Sequence, residues 1–289
     1  MSQDTPSNEP PANRIVGVPA ETFPDERRVA LAPANVAVLQ KAGVDVIIQS
    51  GAGTPAGYAD DEYAAAGAKL IDDRDQIFKQ AEIILQVRTA GANPDNGSDD
   101  DSLLREGQTL VGMCDPLLGA GVMQGLADRG VTSFALELLP RITRAQSMDV
   151  LSSQSNLAGY KSVLDATDEF GRAMPMMMTA AGTLAPARVF VLGAGVAGLQ
   201  AIATARRLGA IVSATDVRSV AKEQVESLGA TFVMVETDDA EDGETAAGYA
   251  KEMSDDYKEK QAKLVREHLA KQDIAICTAL IPGRPAPML

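Results

Sequence analysis

Val189-Phe190-Val191-Leu192-Gly193-Ala194-Gly195-Val196-Ala197-Gly198-Leu199 decides the architecture of the second half of this chain. Four apolar residues run straight into glycines spaced G-x-G-x-x-G, and a helical pattern that reaches Leu208 begins at once. In such a strand–turn–helix unit Gly193 permits the tight turn, Gly195 lets the main chain approach a pyrophosphate, and Gly198 lets the helix pack closely on the strand. The first N–H groups of the helix and its positive dipole end then face the phosphates. A glycine triplet alone is weak, because glycine-rich turns join many strands and helices. Here a second strand ends in Asp216, 18 residues beyond Gly198. An acidic side chain at that place accepts the ribose hydroxyls of adenosine and repels a 2′-phosphate. Its plainer reading is a solvated turn residue. Arg218 pulls the other way, since an arginine there accommodates a 2′-phosphate. The whole unit points to a dinucleotide, and to NAD(H) before NADP(H).

The same rhythm extends outward. Strands are expected at 188–192, 211–215, 231–235 and 274–278 in the second half, and at 15–18, 44–49, 83–87, 109–114 and 131–138 in the first. Amphipathic stretches at 34–41, 61–66, 74–80 and 121–128 separate the latter. Strands spaced by helices of this length make βαβ units and a mainly parallel sheet. The sequence therefore predicts an α/β protein with two doubly wound parallel-sheet domains. A polar, Pro-rich tail covers 1–13, an N-terminal α/β domain 14–150, and a Rossmann domain 151–289. A helical pattern around 156–170 connects the two, and a ligand cleft is expected between them. Stretch 93–101 reads as a solvated loop, and Met174-Pro-Met-Met-Met178 as core packing. The acidic stretch 236–256 is too long for an ordinary turn and reads as a functional flap or a disordered insert. Only four strands follow residue 187, where a full dinucleotide domain has about six. The second domain is therefore expected to be truncated at its C-terminus.

Length and composition narrow the class. The chain has 289 residues, which suits two domains. Its formal charge of −14 argues against a nucleic-acid partner, because phosphates would be repelled. Cys114 and Cys277 lie far apart in apolar runs and read as small core residues of a reducing compartment, with no disulfide or metal site. Nothing approaches the roughly 18 apolar residues of a membrane helix, and the tail carries neither a secretory core nor a transit pattern. A soluble, cytoplasmic chain that can still dock onto a membrane partner is expected.

A second informative run is Arg141-Ile-Thr-Arg-Ala-Gln146-Ser-Met-Asp149-Val-Leu-Ser152-Ser-Gln-Ser-Asn156. Placed after the last strand of the first domain, it should line the cleft. As a plain structural feature it would be a capped helix start with Ser152 or Ser153 as N-cap, which explains the serines but not the whole polar set.

With the following residues this run reads RxxRAQSMDxLSSQSNLAGY; the opening reads GVPAETFPDERRVALAP, and GYAKEM and ALIPGRPAP come late. Together these resemble the NAD(H)-binding domain of proton-translocating nicotinamide nucleotide transhydrogenases, a family that shares its fold with alanine dehydrogenase. The similarity runs from about Arg14 to Leu289. The resemblance implies that Arg141, Gln146, Asp149 and Ser152 surround the nicotinamide ring. It places Gly193, Gly195, Val196, Ala197, Gly198 and Leu199 at the pyrophosphate, and Asp216, Val217 and Arg218 at the adenosine ribose. It assigns Gly248 and Tyr249 to a loop closing over nucleotide and sets Leu280 beside the adenosine. It further implies a homodimer whose partners are an NADP(H)-binding domain and a membrane domain, held at the inner membrane through them.

The runner-up is an alanine-dehydrogenase-like enzyme of the same fold. Oxidising an amino acid releases a proton, so such a site needs an acid or base tuned near neutrality. Hydride passing between two nicotinamides needs none. In the alanine dehydrogenase pattern the third strand carries a lysine and the next a histidine; here those regions read Leu85-Gln86-Val87-Arg88 and Gly112-Met113-Cys114-Asp115. Arg28 has a counterpart in both families. The single histidine, His268, sits in a charged helical pattern over 259–271 and reads as a solvated residue. A non-catalytic NAD-binding module is the third reading.

Overall fold

A computed structural model describes residues 14–94, 97–140, 142–235 and 255–280. The chain divides into two compact units, Met1–Pro140 and Arg141–Leu289.

In the first unit strands and helices alternate: β1 Arg14–Val18, α1 Pro33–Lys41, β2 Val44–Gln49, α2 Asp60–Ala65, β3 Lys69–Ile71, α3 Arg74–Gln80, β4 Ile83–Arg88, α4 Gly97–Leu103, β5 Thr109–Met113, α5 Ala120–Asp128 and β6 Thr132–Ala135. The sheet order is β3-β2-β1-β4-β5-β6, with every pairing parallel. Burial on both faces explains the near-continuous apolar reading of these strands. Val46 and Ile48 of β2 enter one core with Val16, Val18, Val36 and Tyr63. Ile47 between them enters the other, with Ile77, Phe78, Ile84 and Leu110. Local signals start the helices. Pro33 opens α1, where its missing N–H costs nothing, and the Asp73 carboxylate caps α3 by accepting the Asp75 N–H.

The second unit holds α6 Val150–Glu169, β7 Met177–Thr179, β8 Gly182–Leu184, β9 Arg188–Leu192, α7 Val196–Arg207, β10 Ile211–Thr215, α8 Ala221–Ser227, β11 Thr231–Phe232, α9 Asp255–Leu269 and β12 Ile274–Cys277. Among the described residues its main sheet has the order β11-β10-β9-β12, all parallel. One face packs Val189, Val191, Val212, Ala214 and Ile276 against Val163 of α6, Ala201 and Ile202 of α7 and Val225 of α8. The other packs Phe190 and Leu192 against Val265 of α9.

Several expectations need correction. The expected loop over 93–101 holds α4 in its second half, and Asn93 and Asp100 are buried. The cause is a bidentate ion pair: Arg74 Nε donates to Asp100 Oδ1 at 2.7 Å and Nη2 to Oδ2 at 2.6 Å, while the Gln86 amide donates to Oδ2 at 2.7 Å. Of the methionines only Met174 is core; Met176, Met177 and Met178 are exposed around the hairpin of β7 and β8, which is too short to read by alternation. Cys114 is buried but Cys277, on the edge strand β12, is exposed. His268 is no solvated residue: its Nε2 lies 2.7 Å from Ser213 Oγ on β10, and its ring meets Phe190 edge-on at 4.6 Å. Burial, with Lys271 nearby, holds its pKa below the ordinary histidine value. The expected strand over 131–138 ends at Ala135, where Leu136–Leu138 turns into a 3₁₀ helix.

The Arg74–Asp100 pair tests this account. Asp100→Ala leaves a buried guanidinium uncompensated and should destabilise the first unit by roughly 3–5 kcal/mol in chemical denaturation. Replacing both partners together, as Arg74→Met with Asp100→Leu, should recover most of that loss. A cost below about 1 kcal/mol for the single variant contradicts it.

Candidate functional site

The site is built at the junction of β9 and α7. Gly193 has φ +95°, a left-handed conformation that an L side chain strains to adopt. A Cβ there would also lie 3.0 Å from Thr278 Oγ1 and Ala279 N. At Gly198 a Cβ would sit 1.9 Å from the Gly193 carbonyl oxygen, so only glycine lets the first turn of α7 settle onto the turn that precedes it. Gly195 differs. It is the N-cap of α7 in extended conformation, its carbonyl accepts from Leu199 N at 2.8 Å, and a Cβ added there meets nothing within 4 Å. Two glycines are thus demanded by packing, while the third borders open space. Val196, Ala197 and Gly198 carry the first-turn N–H groups that a helix cannot satisfy internally. A glycine cradle that ends in open space and free-turn donors suits a pyrophosphate.

Asp216, after β10, is bound to this turn. Its Oδ2 accepts the Ala194 N–H at 2.7 Å and Arg218 Nη2 at 2.9 Å, and its Oδ1 accepts the N–H and Nε of Arg218, each at 2.9 Å. Burial pushes its pKa up, but the hydrogen bonds from Arg218 and from Ala194 prevail and hold the carboxyl below its ordinary range. It is therefore an anion at neutral pH and no plain solvated turn residue. On the other side Thr278 Oγ1 donates to the Gly193 carbonyl at 2.8 Å, which fixes the end of β12 against the turn. Leu280, two residues on, is exposed.

The polar run forms a 3₁₀ stretch, Thr143–Met148, followed by α6. The helix cap is Asp149, not Ser152 or Ser153: its Oδ1 accepts the Ser152 N–H at 2.9 Å and its Oδ2 the Ser152 hydroxyl at 2.7 Å. Gln146 is exposed. At Gly159 of α6 a Cβ would lie 2.0 Å from the Ala197 carbonyl oxygen, so α6 crosses α7 backbone against backbone at the start of α7. The seven residues from Ser152 to Gly159 span roughly 10 Å of helix. The structure thereby brings Asp149 and Ser152, the glycine turn, Asp216 to Arg218, and Thr278 to Leu280 into one unit. Arg141, Gly248, Tyr249 and most of 236–256 lie outside the described residues. Thr278 and Gly159 escaped the sequence reading. A glycine inside an otherwise helical run was the available signal for the second.

Residues 17–158 match the family model "Alanine dehydrogenase/PNT, N-terminal domain", and residues 162–289 match "Alanine dehydrogenase/PNT, C-terminal domain". The chain belongs to the alanine dehydrogenase/PNT family. An NAD(P) transhydrogenase subunit alpha polypeptide of Rhodospirillum rubrum is 52% identical over 274 residues, covering 95% of this chain and 71% of that protein. A transhydrogenase crystal structure from Sinorhizobium meliloti matches with TM-score 0.82 and 51% identity, over 95% of this chain and 72% of that one. The alanine dehydrogenase of Mycolicibacterium smegmatis is more distant, 30% identical over 95% of this chain and 67% of its own length.

Within this alanine dehydrogenase/PNT chain the first unit shows where the two kinds of member diverge. Its topological switch point lies between β1 and β4, where open α/β sheets bind ligands. Here Glu21 fills the gap: its carboxylate accepts the N–H of Val87 at 2.6 Å and of Arg88 at 3.1 Å. Burial is the main cause that lifts its pKa to about 7, with Glu26 adding to the rise. Arg28 is held by Glu26. Gln86 is buried and committed to Asp100, so it neither donates nor removes a proton.

The three glycines separate fold from ligand. Gly198→Ala should cost about 1–3 kcal/mol or more through the clash with the Gly193 carbonyl. Gly195→Ala should leave the melting temperature within a few degrees of the parent and lower nucleotide affinity. Equal destabilisation by both substitutions, read by calorimetric melting, contradicts the assignment.

Proposed function

We propose that this chain is the NAD(H)-binding component of a proton-translocating NAD(P) transhydrogenase. Hydride passes from NADH to NADP held by a partner domain, and a membrane domain couples the step to proton movement. The observation that carries the reading is the glycine cradle with Asp216 fixed as an anion beside it. Such a carboxylate favours a ribose diol and repels a 2′-phosphate. Identity of 52% to a transhydrogenase alpha subunit, against 30% to an alanine dehydrogenase, supports the reaction class. In this reading the chain is a homodimer, and its partners hold it at the membrane. Among the described residues no helix is long and apolar enough to cross a bilayer.

Bound NADH supplies the hydride; the protein binds, orients and shields it. The first turn of α7 holds the pyrophosphate through main-chain N–H groups, and Asp216 to Arg218 hold the adenosine end with Leu280 beside it. Arg141, Gln146, Asp149 and Ser152 orient the nicotinamide ring, with Gly248 and Tyr249 closing over it. Asp149 has a double role in this scheme, since it also caps α6. Gln146 has no such structural duty in the described fold.

Calorimetry should show NADH binding at least tenfold tighter than NADPH, a difference of about 1.4 kcal/mol. Mixed with an NADP-binding partner domain, the chain should reduce NADP analogues from NADH and give no alanine- or pyruvate-dependent turnover. Amino-acid-dependent NADH formation would favour the alanine dehydrogenase reading instead.

Gln146→Asn shortens an exposed side chain by one methylene and keeps its amide. A misplacement of roughly 1 Å at a reacting centre can cost ~100-fold in rate. This variant should slow hydride transfer by at least tenfold while melting like the parent and binding NADH within a few fold. Asp149→Ala should lower both rate and stability, the latter by roughly 0.5–2 kcal/mol for the lost cap. If Gln146→Asn transfers hydride at the parent rate, the nicotinamide assignment of this segment is wrong.

A further inference from the structure

Asp216 is asked to recognise a ribose, yet its acceptor positions are already filled. A carboxylate offers about four lone-pair sites. Oδ1 receives two donors, the N–H and Nε of Arg218, and Oδ2 receives two more, Ala194 N–H and Arg218 Nη2, all between 2.7 and 2.9 Å. Two of the four are main-chain groups that belong to the glycine turn and to the turn after β10. They stay wherever the backbone stays. The other two come from a single guanidinium at the end of a side chain with several rotatable bonds. Like the neighbouring hydroxyls of a ribose, that guanidinium edge is a pair of closely spaced donors. It also matches a carboxylate bidentately, which makes it a strong rival.

We propose that Arg218 occupies the ribose-recognition positions of Asp216 while the site holds no nucleotide, and that NAD(H) binds by displacing it. This rests on the dinucleotide reading of the Gly193–Gly198 turn. Arg218 is then a specificity-determining gate that lowers affinity for NAD(H). The apparent affinity falls by the fraction of molecules in which Asp216 is open, so a guanidinium docked in nine of ten molecules weakens binding about tenfold. The same side chain shapes cofactor choice. Docked, it cancels the charge with which Asp216 repels a 2′-phosphate; displaced, it is a cation within reach of one. Removing it leaves an anion whose two free positions suit a diol and oppose a phosphate.

Titration calorimetry on the whole chain tests this with ADP, 2′-deoxy-ADP, NADH and NADPH against the parent, Arg218→Ala and Arg218→Met. Methionine keeps much of the aliphatic stem, so the comparison remains interpretable if the alanine variant folds poorly. Both variants should bind ADP and NADH about three- to tenfold tighter. 2′-Deoxy-ADP, which offers one hydroxyl fewer, should gain less, and the NADH-to-NADPH affinity ratio should rise. ADP binding unchanged or weakened in the variants overturns the proposal, because Arg218 then contacts the nucleotide or never competes with it. A parent chain that binds neither ADP nor NADH is a separate failure and removes the dinucleotide reading itself.

Discussion

The main-chain contact between the first turn of α7 and the turn that precedes it governs the second unit. Gly198 rests where any Cβ would stand 1.9 Å from the Gly193 carbonyl oxygen. That approach fixes the angle at which α7 leaves the sheet, and with it the direction of the first-turn N–H groups. It also sets Ala194 so that its N–H meets Asp216, which ties the loop after β10 to the loop after β9. Thr278 closes the opposite side by donating to the same Gly193 carbonyl. Three strand ends are thereby referred to one peptide group. A van der Waals constraint with no chemistry of its own decides where the chemistry can occur.

Charge adds the second level of control. A net charge of −14 is ill matched, taken as a whole, to a ligand that carries phosphates. The contradiction resolves locally, because the site presents backbone dipoles rather than side-chain cations to the pyrophosphate. Its one anion, Asp216, sits at the ribose end. Hydrogen bonding overcomes the burial that would otherwise neutralise this carboxyl. The acidic surface elsewhere neither helps nor hinders recognition beyond about a Debye length of 10 Å.

The fold was legible where apolar runs were long enough to have a period. β2, α3, β9 and β10 fall at the residues the pattern assigns, because each buries both faces or starts at a marked cap or turn. β3, at three residues, and the β7–β8 hairpin carry too few positions to show alternation. The segment over 93–101 failed for another reason. Its aspartates look solvated in sequence, and only the fold reveals that Arg74, 26 residues before Asp100, makes burial tolerable. His268 misled in the same way, since its partner Ser213 is 55 residues distant. The glycine cradle was readable because it is local. The cap at Asp149 was only half readable: the polar run showed that a helix starts there but not which side chain closes it.

These long-range pairings bear on how one fold serves two reactions. In the first unit the groups at the strand ends are committed to one another. Glu21 seals the gap between β1 and β4 with both oxygens on main-chain N–H groups, Glu26 holds Arg28, and Gln86 and Arg74 share Asp100. A side chain so engaged is a scaffold, and a proton-transfer group must be able to change partners during turnover. The engaged set has its own logic in a chain of this family. Gln86 carries no charge, so the Arg74–Asp100 pair stays balanced as pH varies. A lysine in its place would bring a second cation to one carboxylate, and a shifted, reactive amine would follow. One side chain on β4 therefore separates a unit that serves as neutral structural support from one equipped for acid–base work, and the surrounding sheet need not change.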